Sequence, residues 1–106
     1  MVYSNKAIFG DLEKKVLAWA KEKEILEKSS PIKQMIKTEE EVLELERAIR
    51  MGNRPEIIDG LGDVLVTLII QADLNNLKLV DCLEVAYEVI SKRTGKMVNG
   101  LFVKDE

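Results

Sequence analysis

The short segment Gly52-Asn53-Arg54-Pro55 separates two long stretches of helical periodicity, and it constrains the fold of this 106-residue chain more than any other feature. Glycine ends helices readily because it adopts left-handed backbone angles, and proline suits the first helical position. Ser30 before Pro31 gives a similar start signal to the first of the two stretches. The pattern therefore predicts helices over residues 31–51 and 55–74 that pack antiparallel across a tight turn.

Two further helices and a hairpin complete the predicted architecture. After an aperiodic segment of ten residues, Asp11 is a candidate N-cap for a helix over residues 11–28. Asp81 is a candidate N-cap for a helix over residues 81–93. Asn99-Gly100 lies between apolar pairs, a pattern typical of a tight β-hairpin. We therefore expect an all-α fold, a four-helix bundle with a short hairpin-like tail.

The composition narrows the class of protein and of site. Aromatic residues are only 5% of the chain, so the core of a single domain over residues 1–106 must be mostly aliphatic. With no His and one Cys, Cys82, the chain cannot form His-ligated zinc or an intrachain disulfide, and it fits a reducing, cytoplasmic location.

A net charge of −3 without a basic run argues against a duplex nucleic acid partner. No apolar run approaches the ~20 residues that span a membrane.

The helix predicted over residues 55–74 is apolar around most of its circumference. The residues with i, i+3, i+4 spacing are Leu61, Val64, Leu65, Leu68, Ile69 and Ala72, and Ile58, Val66 and Ile70 leave little of the surface polar. A helix that is apolar on most sides is buried on most sides. In so short a chain, this pattern predicts burial against a second subunit in a homo-oligomer.

Carboxylates cluster on the sides of the two central helices that should face each other. Glu40, Glu41 and Glu44 converge on one arc of the first helix, where like charges repel unless a cation lies between them. Asp59 and Asp63 lie inside the most apolar helix, where an unpaired charge is costly. Oxygen ligands of this kind suit Mg²⁺, which binds carboxylates together with waters and substrate phosphates.

A magnesium ion at such a site would neutralise charge at a reacting phosphorus and help to generate hydroxide. The chain has no Walker-type glycine loop, so the phosphates of a substrate would be held by the metal and by basic side chains. The candidates are Lys37, Lys92, Arg93 and Lys96. Each of these residues, taken singly, also fits an ordinary surface position.

The stretch Lys37-Thr-Glu-Glu-Glu-Val-Leu-Glu-Leu, followed by Asp59-Gly-Leu-Gly-Asp-Val-Leu, resembles the MazG-like nucleotide pyrophosphohydrolases of the all-α NTP pyrophosphatase superfamily. The family signature is E-E-x-x-E followed, after a spacer, by E-x-x-D. Glu40, Glu41 and Glu44 match the first part. Asp63 matches the last position, and the tail from Ala86 onward is similar to short single-domain members, including those of phages.

The resemblance implies hydrolysis of a nucleoside triphosphate between its α- and β-phosphates to a monophosphate and pyrophosphate, with Mg²⁺ as cofactor or Mn²⁺ in its place. It implies a homo-oligomer, either a dimer or a tetramer. It implies catalytic roles for Glu41, Glu44 and Asp63, and metal ligation by Glu40, Glu41, Glu44, Asp59 and Asp63. For the base of the nucleotide, it makes Trp19 and Gln34 candidates. Trp19 alternatively serves as a core or interface anchor.

Gly60 occupies the position where the signature has the Glu of E-x-x-D. Asp59 or Glu56, on the same stripe, would supply the missing oxygen, and Glu56-Ile-Ile-Asp59 itself has the E-x-x-D spacing. Two registers of the metal site therefore remain open. The departure also supports an alternative function, a catalytically weak relative that binds nucleotide or metal as a regulatory or assembly module. A purely structural helical bundle is a third alternative.

Overall fold

The computed structural model describes residues 5–106, with side chains from residue 8 onward. The elements are α1 (Asn5–Glu22), α2 (Ile25–Lys28), α3 (Pro31–Met51), α4 (Arg54–Leu74), α5 (Leu79–Ile90), β1 (Gly95–Val98) and β2 (Leu101–Lys104). The predominantly helical fold and the C-terminal hairpin are therefore confirmed.

The first predicted helix differs most from the structure. α1 begins at Asn5, so Asp11 lies within the helix and is not its N-cap. Glu24 has φ of +63°, and this left-handed residue separates α1 from the single turn of α2. The prediction of one helix over residues 11–28 was therefore wrong at both points, and residues 1–4 lie outside the described residues.

The helices α3 and α4 begin and end within one residue of the predicted positions. Ser30 Oγ accepts a hydrogen bond from the Lys33 N–H at 3.3 Å, and Asn53 Oδ1 accepts one from the Glu56 N–H at 3.3 Å. Gly52 ends α3 with φ of +65°, the left-handed conformation that glycine adopts without a Cβ penalty. Local capping chemistry thus fixes both ends of the central turn.

Two side-chain amides join the first turns of α3 to the last turns of α4. Gln71 Nε2 donates to the Pro31 carbonyl at 2.9 Å, and Gln34 Nε2 donates to the Thr67 carbonyl at 3.1 Å. In both pairs a residue near the start of α3 meets one near the end of α4, as an antiparallel pair requires. Gln34 is buried, so its hydrogen bond satisfies a polar group that would otherwise be costly inside the protein.

The buried apolar side chains form a small core. Its members are Ala20, Ala48, Ile69, Ile70, Ala72 and Val80, contributed by α1, α3, α4 and α5. Many larger apolar side chains on the same helices remain exposed. Leu83, Tyr87 and Ile90 of α5, for example, are each more than half exposed. Within the described residues, no helix combines the length and apolar character needed to cross a membrane.

The N-terminus of α5 receives its cap from a distant part of the chain. The helix begins at Leu79, two residues before the predicted start at Asp81, and its N-cap residue Lys78 makes no side-chain cap. Instead, the buried Glu13 of α1 accepts a hydrogen bond from the Val80 N–H through Oε2 at 3.2 Å. A carboxylate at this end of a helix also interacts favourably with the helix dipole.

Replacing Glu13 by Ala should lower the free energy of unfolding by about 1–2 kcal/mol, because the α5 N–H loses its acceptor inside the protein. Glu13→Gln keeps an acceptor oxygen but loses the charge, so it should cost less. Urea denaturation at fixed protein concentration measures both, with Glu22→Gln at the exposed end of α1 as the control. A Glu13→Ala variant as stable as the control would show that this cap contributes nothing.

The hairpin β1–β2 closes through Asn99 and Gly100, whose φ angles of +51° and +82° match the two left-handed residues of a type I′ turn. Met97 pairs with Phe102, and Val98 with Leu101. Every residue of both strands is exposed. Among the described residues, no Cα atom of the hairpin lies within 8 Å of a Cα atom of any helix. The hairpin therefore projects from the helical body.

Candidate active site

A cleft of about 340 Å³ lies between α3 and α4, close to the turn that joins them. Its lining residues are Glu44 and Arg47 from α3, and Glu56, Asp59, Gly60 and Asp63 from α4. Three residues predicted as metal ligands, Glu44, Asp59 and Asp63, thus line one cavity. Glu56, which the alternative register requires, lies there as well.

Gly60 packs closely against Leu45 of α3. It is buried, and a Cβ atom built on it would lie 3.0 Å from Leu45 Cδ1 and 3.3 Å from Leu45 Cα. Contacts this short require a neighbour to move, and one of the two atoms belongs to the backbone. A side chain larger than glycine at position 60 would therefore crowd Leu45. The carboxylates of Asp59 and Glu56 are left to supply oxygens from α4.

Glu40 and Glu41 do not line the cleft, and both interact with Lys37. Lys37 Nζ lies 3.3 Å from Glu41 Oε1 and 3.4 Å from Glu40 Oε2. The hydrogen bond and the charge of Glu41 raise the pKa of Lys37 above its ordinary value of 10.5, and Glu40 adds to this effect. Lys37 therefore neutralises two of the predicted metal ligands and is not directed at the cleft.

The other predicted substrate-binding residues also lie away from the cleft lining. Gln34 uses its amide N–H to bind α4, and Trp19 lies half-exposed on α1. Lys92 and Arg93 follow α5, and Lys96 lies on β1. In a single chain, the predicted carboxylates Glu44, Asp59 and Asp63 line the cleft together. The basic residues predicted to bind phosphate do not line it.

Arg47 is the residue of the cleft that the sequence reasoning missed. It follows Glu44 by three positions and Glu40 by seven, so helical spacing places it on the same arc. Within the part of the chain that the structure describes, no ion pair ties its guanidinium to a carboxylate within 4.0 Å. The guanidinium of Arg47 is well suited to bind a phosphate group through a bidentate pair of hydrogen bonds.

The cleft fits Mg²⁺, because the side chains there that could bind a metal ion are all carboxylates: Glu44, Glu56, Asp59 and Asp63. No three carboxylates in residues 8–106 are already gathered closely enough to hold a metal ion. Like charges keep such side chains apart, and Mg²⁺ ordinarily completes its shell with waters and substrate phosphates. The arrangement therefore suits an ion that binds together with a polyphosphate.

Residues 29–98 match the family model of the MazG nucleotide pyrophosphohydrolase domain. The chain belongs to the MazG nucleotide pyrophosphohydrolase family. The matched segment spans α3, α4, α5 and β1, so it contains every residue that lines the cleft. The MazG signature residues Glu44 and Asp63 thus lie on opposite helices of one cavity, whereas Glu40 and Glu41 lie beside it.

Among curated proteins, this MazG family chain is similar to one from Haemophilus phage HP1 (strain HP1c1), described as an uncharacterized 18.2 kDa protein in the rep-hol intergenic region. The two are 37% identical over 70 residues, which is 65% of this chain and 42% of the phage protein. The chain therefore spans less than half the length of that relative. No solved structure matches the chain at a significant level.

Proposed function

We propose that this MazG family protein is a Mg²⁺-dependent nucleoside triphosphate pyrophosphohydrolase, which cleaves ribo- or deoxyribonucleotides between the α- and β-phosphates. The products are a nucleoside monophosphate and pyrophosphate. The observation that carries the proposal is the α3–α4 cleft, where four carboxylates and Arg47 line one cavity within the family-matched segment. Mn²⁺ has similar oxygen-ligand preferences and is expected to replace Mg²⁺.

Each wall of the cleft has a distinct part in this reaction. Glu44 on α3, with Asp59 and Asp63 on α4, would hold the metal ion. The ion would neutralise phosphate charge and lower the pKa of a bound water. Arg47 would orient the polyphosphate. Glu41 is buried and pairs with Lys37. It would add negative charge next to the metal site without lining the cleft.

A catalytically weak nucleotide- or metal-binding module is the second candidate. Two observations favour it: the chain has Gly60 in place of the signature Glu, with Leu45 packed closely against it, and Lys37 already neutralises Glu40 and Glu41. This candidate predicts that nucleotide binds with Mg²⁺ but turns over slowly. Binding and turnover must therefore be measured separately.

We also propose that the protein is a homo-oligomer, a dimer or a tetramer. One chain exposes 8649 Å² of surface, whereas a monomeric protein of 12.0 kDa exposes roughly 6,000 Å². The excess exceeds the ~800 Å² per partner of a standard interface. Light scattering coupled to size exclusion should give a mass of at least twice 12.0 kDa, and a monomer at micromolar concentration would contradict the proposal.

The test of the reaction is pyrophosphate release from a panel of ribo- and deoxyribonucleoside triphosphates. We expect release that requires Mg²⁺ or Mn²⁺, with equimolar monophosphate as the second product. Orthophosphate as the product would instead indicate cleavage at the γ-phosphate. Absence of release from every nucleotide, with nucleotide binding retained, would favour the binding module.

Metal and nucleotide should also stabilise the fold together. With Mg²⁺ and an α,β-methylene triphosphate at about one hundred times Kd, linkage predicts about 2.7 kcal/mol of stabilisation and a higher Tm. Asp63→Asn should lose most of this Tm shift, whereas Glu27→Gln on α2, outside the cleft lining, should keep it. Equal shifts in both variants would place the binding site elsewhere.

A further inference from the structure

The α3–α4 cleft differs chemically from one end to the other. Glu44 and Asp63 form its inner end, farther from the turn that joins the two helices. Arg47 follows Glu44 by three residues and Glu56 precedes Asp63 by seven, which places them roughly 4.5 Å and 10 Å closer to that turn along their helices. Arg47 and Glu56 thus form the turn end, and Arg47 is the only basic residue among the described residues that line the cleft.

Gly60 makes the cleft less acidic than the MazG signature would. It lines the cleft between Glu56 and Asp63, and it carries no charge where the signature has a Glu. At the turn end the charges of Arg47 and Glu56 are opposite, whereas the two carboxylates of the inner end add, and Asp59 lies between the ends. An anion therefore meets less repulsion at the turn end, and a metal cation is held best at the inner end.

The guanidinium of Arg47 is available to a ligand. The residue is exposed, and within the described part of the chain no carboxylate oxygen lies within 4.0 Å of its guanidinium. In contrast, Arg50 of the same helix pairs with Glu46 at 3.5 Å. Lys37 pairs with Glu41 at 3.3 Å. Because a guanidinium presents several N–H donors in a planar fork that matches phosphate oxygens, Arg47 can bind an anionic group directly.

The size and lining of the cleft fit phosphate groups better than a base or a sugar. Its volume of about 340 Å³ is near the lower limit of ligand pockets, roughly 300–1,000 Å³. Pockets for organic ligands are lined mostly by apolar side chains, whereas every residue that lines this cleft except Gly60 is charged. The cleft therefore suits the phosphates of a nucleotide together with a metal ion, and it offers no apolar wall to the base.

We propose that the turn end is a subsite for a diphosphate group, which Arg47 binds through paired hydrogen bonds while the metal ion is held at the inner end. In the proposed reaction, one water is added across the anhydride bond between the α- and β-phosphates, and the β- and γ-phosphates leave together as pyrophosphate. The subsite holds these two phosphates, so free pyrophosphate binds there as well and competes with the substrate. The identity of the leaving group rests on the proposed function, whereas binding of a diphosphate does not require turnover.

Calorimetric titration with pyrophosphate and Mg²⁺, without nucleotide, tests the subsite on the full chain. Arg47→Ala should weaken pyrophosphate binding about 10- to 100-fold, because it removes charge-assisted hydrogen bonds. Arg47→Lys should recover part of this loss, since an ammonium keeps the charge but not the planar pair of donors. Arg50→Ala is the matched control on the next turn of α3, outside the cleft lining, and should bind within about twofold of the wild type.

The subsite would be overturned if the wild-type protein bound no pyrophosphate at millimolar concentration, if Arg47→Ala bound it unchanged, or if Arg50→Ala lost as much affinity. An α,β-methylene triphosphate should lose affinity in Arg47→Ala to a similar extent, and a loss for this ligand alone would place Arg47 against the α-phosphate instead. Thermal unfolding checks that each variant is folded. Pyrophosphate binding that depends on Arg47, in a protein that hydrolyses no nucleotide, would support the subsite and overturn only the proposed reaction.

Discussion

Glu44→Gln is expected to reduce Mg²⁺-dependent pyrophosphate release about 1,000-fold, the largest effect that we expect from a single substitution. Glu44 is the only signature carboxylate of α3 among the residues that line the cleft, and Gln preserves its size while removing its charge. Loss of charge at this proposed metal ligand should remove electrostatic stabilisation where the proposed reaction develops negative charge in the polyphosphate. The effect should fall on kcat, measured at saturating Mg²⁺ and nucleotide.

Glu46→Gln provides the matched control. Glu46 lies two positions further along α3, where it pairs with Arg50 at 3.5 Å, and it does not line the α3–α4 cleft. This variant should keep activity within about twofold, since an exposed ion pair contributes little to stability. Wild-type turnover in Glu44→Gln would remove the cleft from consideration as the site of the reaction.

Gly60→Glu, which restores the family signature, is expected to lower the free energy of unfolding by about 2–3 kcal/mol and to bring no gain in turnover. The new Cβ atom would meet Leu45 at 3.0 Å from Cδ1 and 3.3 Å from Cα, so α3 must shift relative to α4 by a few tenths of an ångström. The same movement would separate Glu44 from Asp63 across the cleft. Denaturation and pyrophosphate release measured on the same preparation test both expectations.

The neighbouring Gly62 distinguishes steric effects from helix propensity. No atom lies within 4 Å of a Cβ built on Gly62, so Gly62→Ala should stabilise the protein by about 0.5–1 kcal/mol. Gly60→Ala gains the same propensity but meets Leu45, so it should be the less stable of the two by about 1–3 kcal/mol. A more active and equally stable Gly60→Glu would show instead that the natural site is impaired by the missing carboxylate.

Several features could be predicted because their causes are local in sequence. The Ser30 and Asn53 caps and the left-handed Gly52 set the bounds of α3 and α4, and each acts over at most three or four residues. The hairpin is fixed by its Asn99-Gly100 turn in the same way. The short turn predicts an antiparallel helix pair with carboxylates facing each other, and Glu44, Asp59 and Asp63 do line one cavity.

Other features had no local signal. Glu13 caps α5 across 67 residues of sequence, so the chain between them gives no indication of the contact. Lys37 has a basic side chain suited to phosphate, but only the packed helices show that Glu40 and Glu41 hold it. The oligomeric state and the metal remain predictions, supported by the exposed apolar surface and by the oxygen donors of the cleft.

The sequence by itself determined the family, the bounds of α3 and α4 and the acidic character of the candidate site, because these follow from motif spacing, helical period and capping residues within a few positions of each other. Only the tertiary structure decided which carboxylates line the cleft, how closely Leu45 packs against Gly60, and that the described hairpin strands make no backbone contact with the helices. The physical reason is that these features depend on how closely two helices approach and where a chain segment finds a packing surface. Such distances arise from the packing of the whole domain, and no short stretch of residues encodes them.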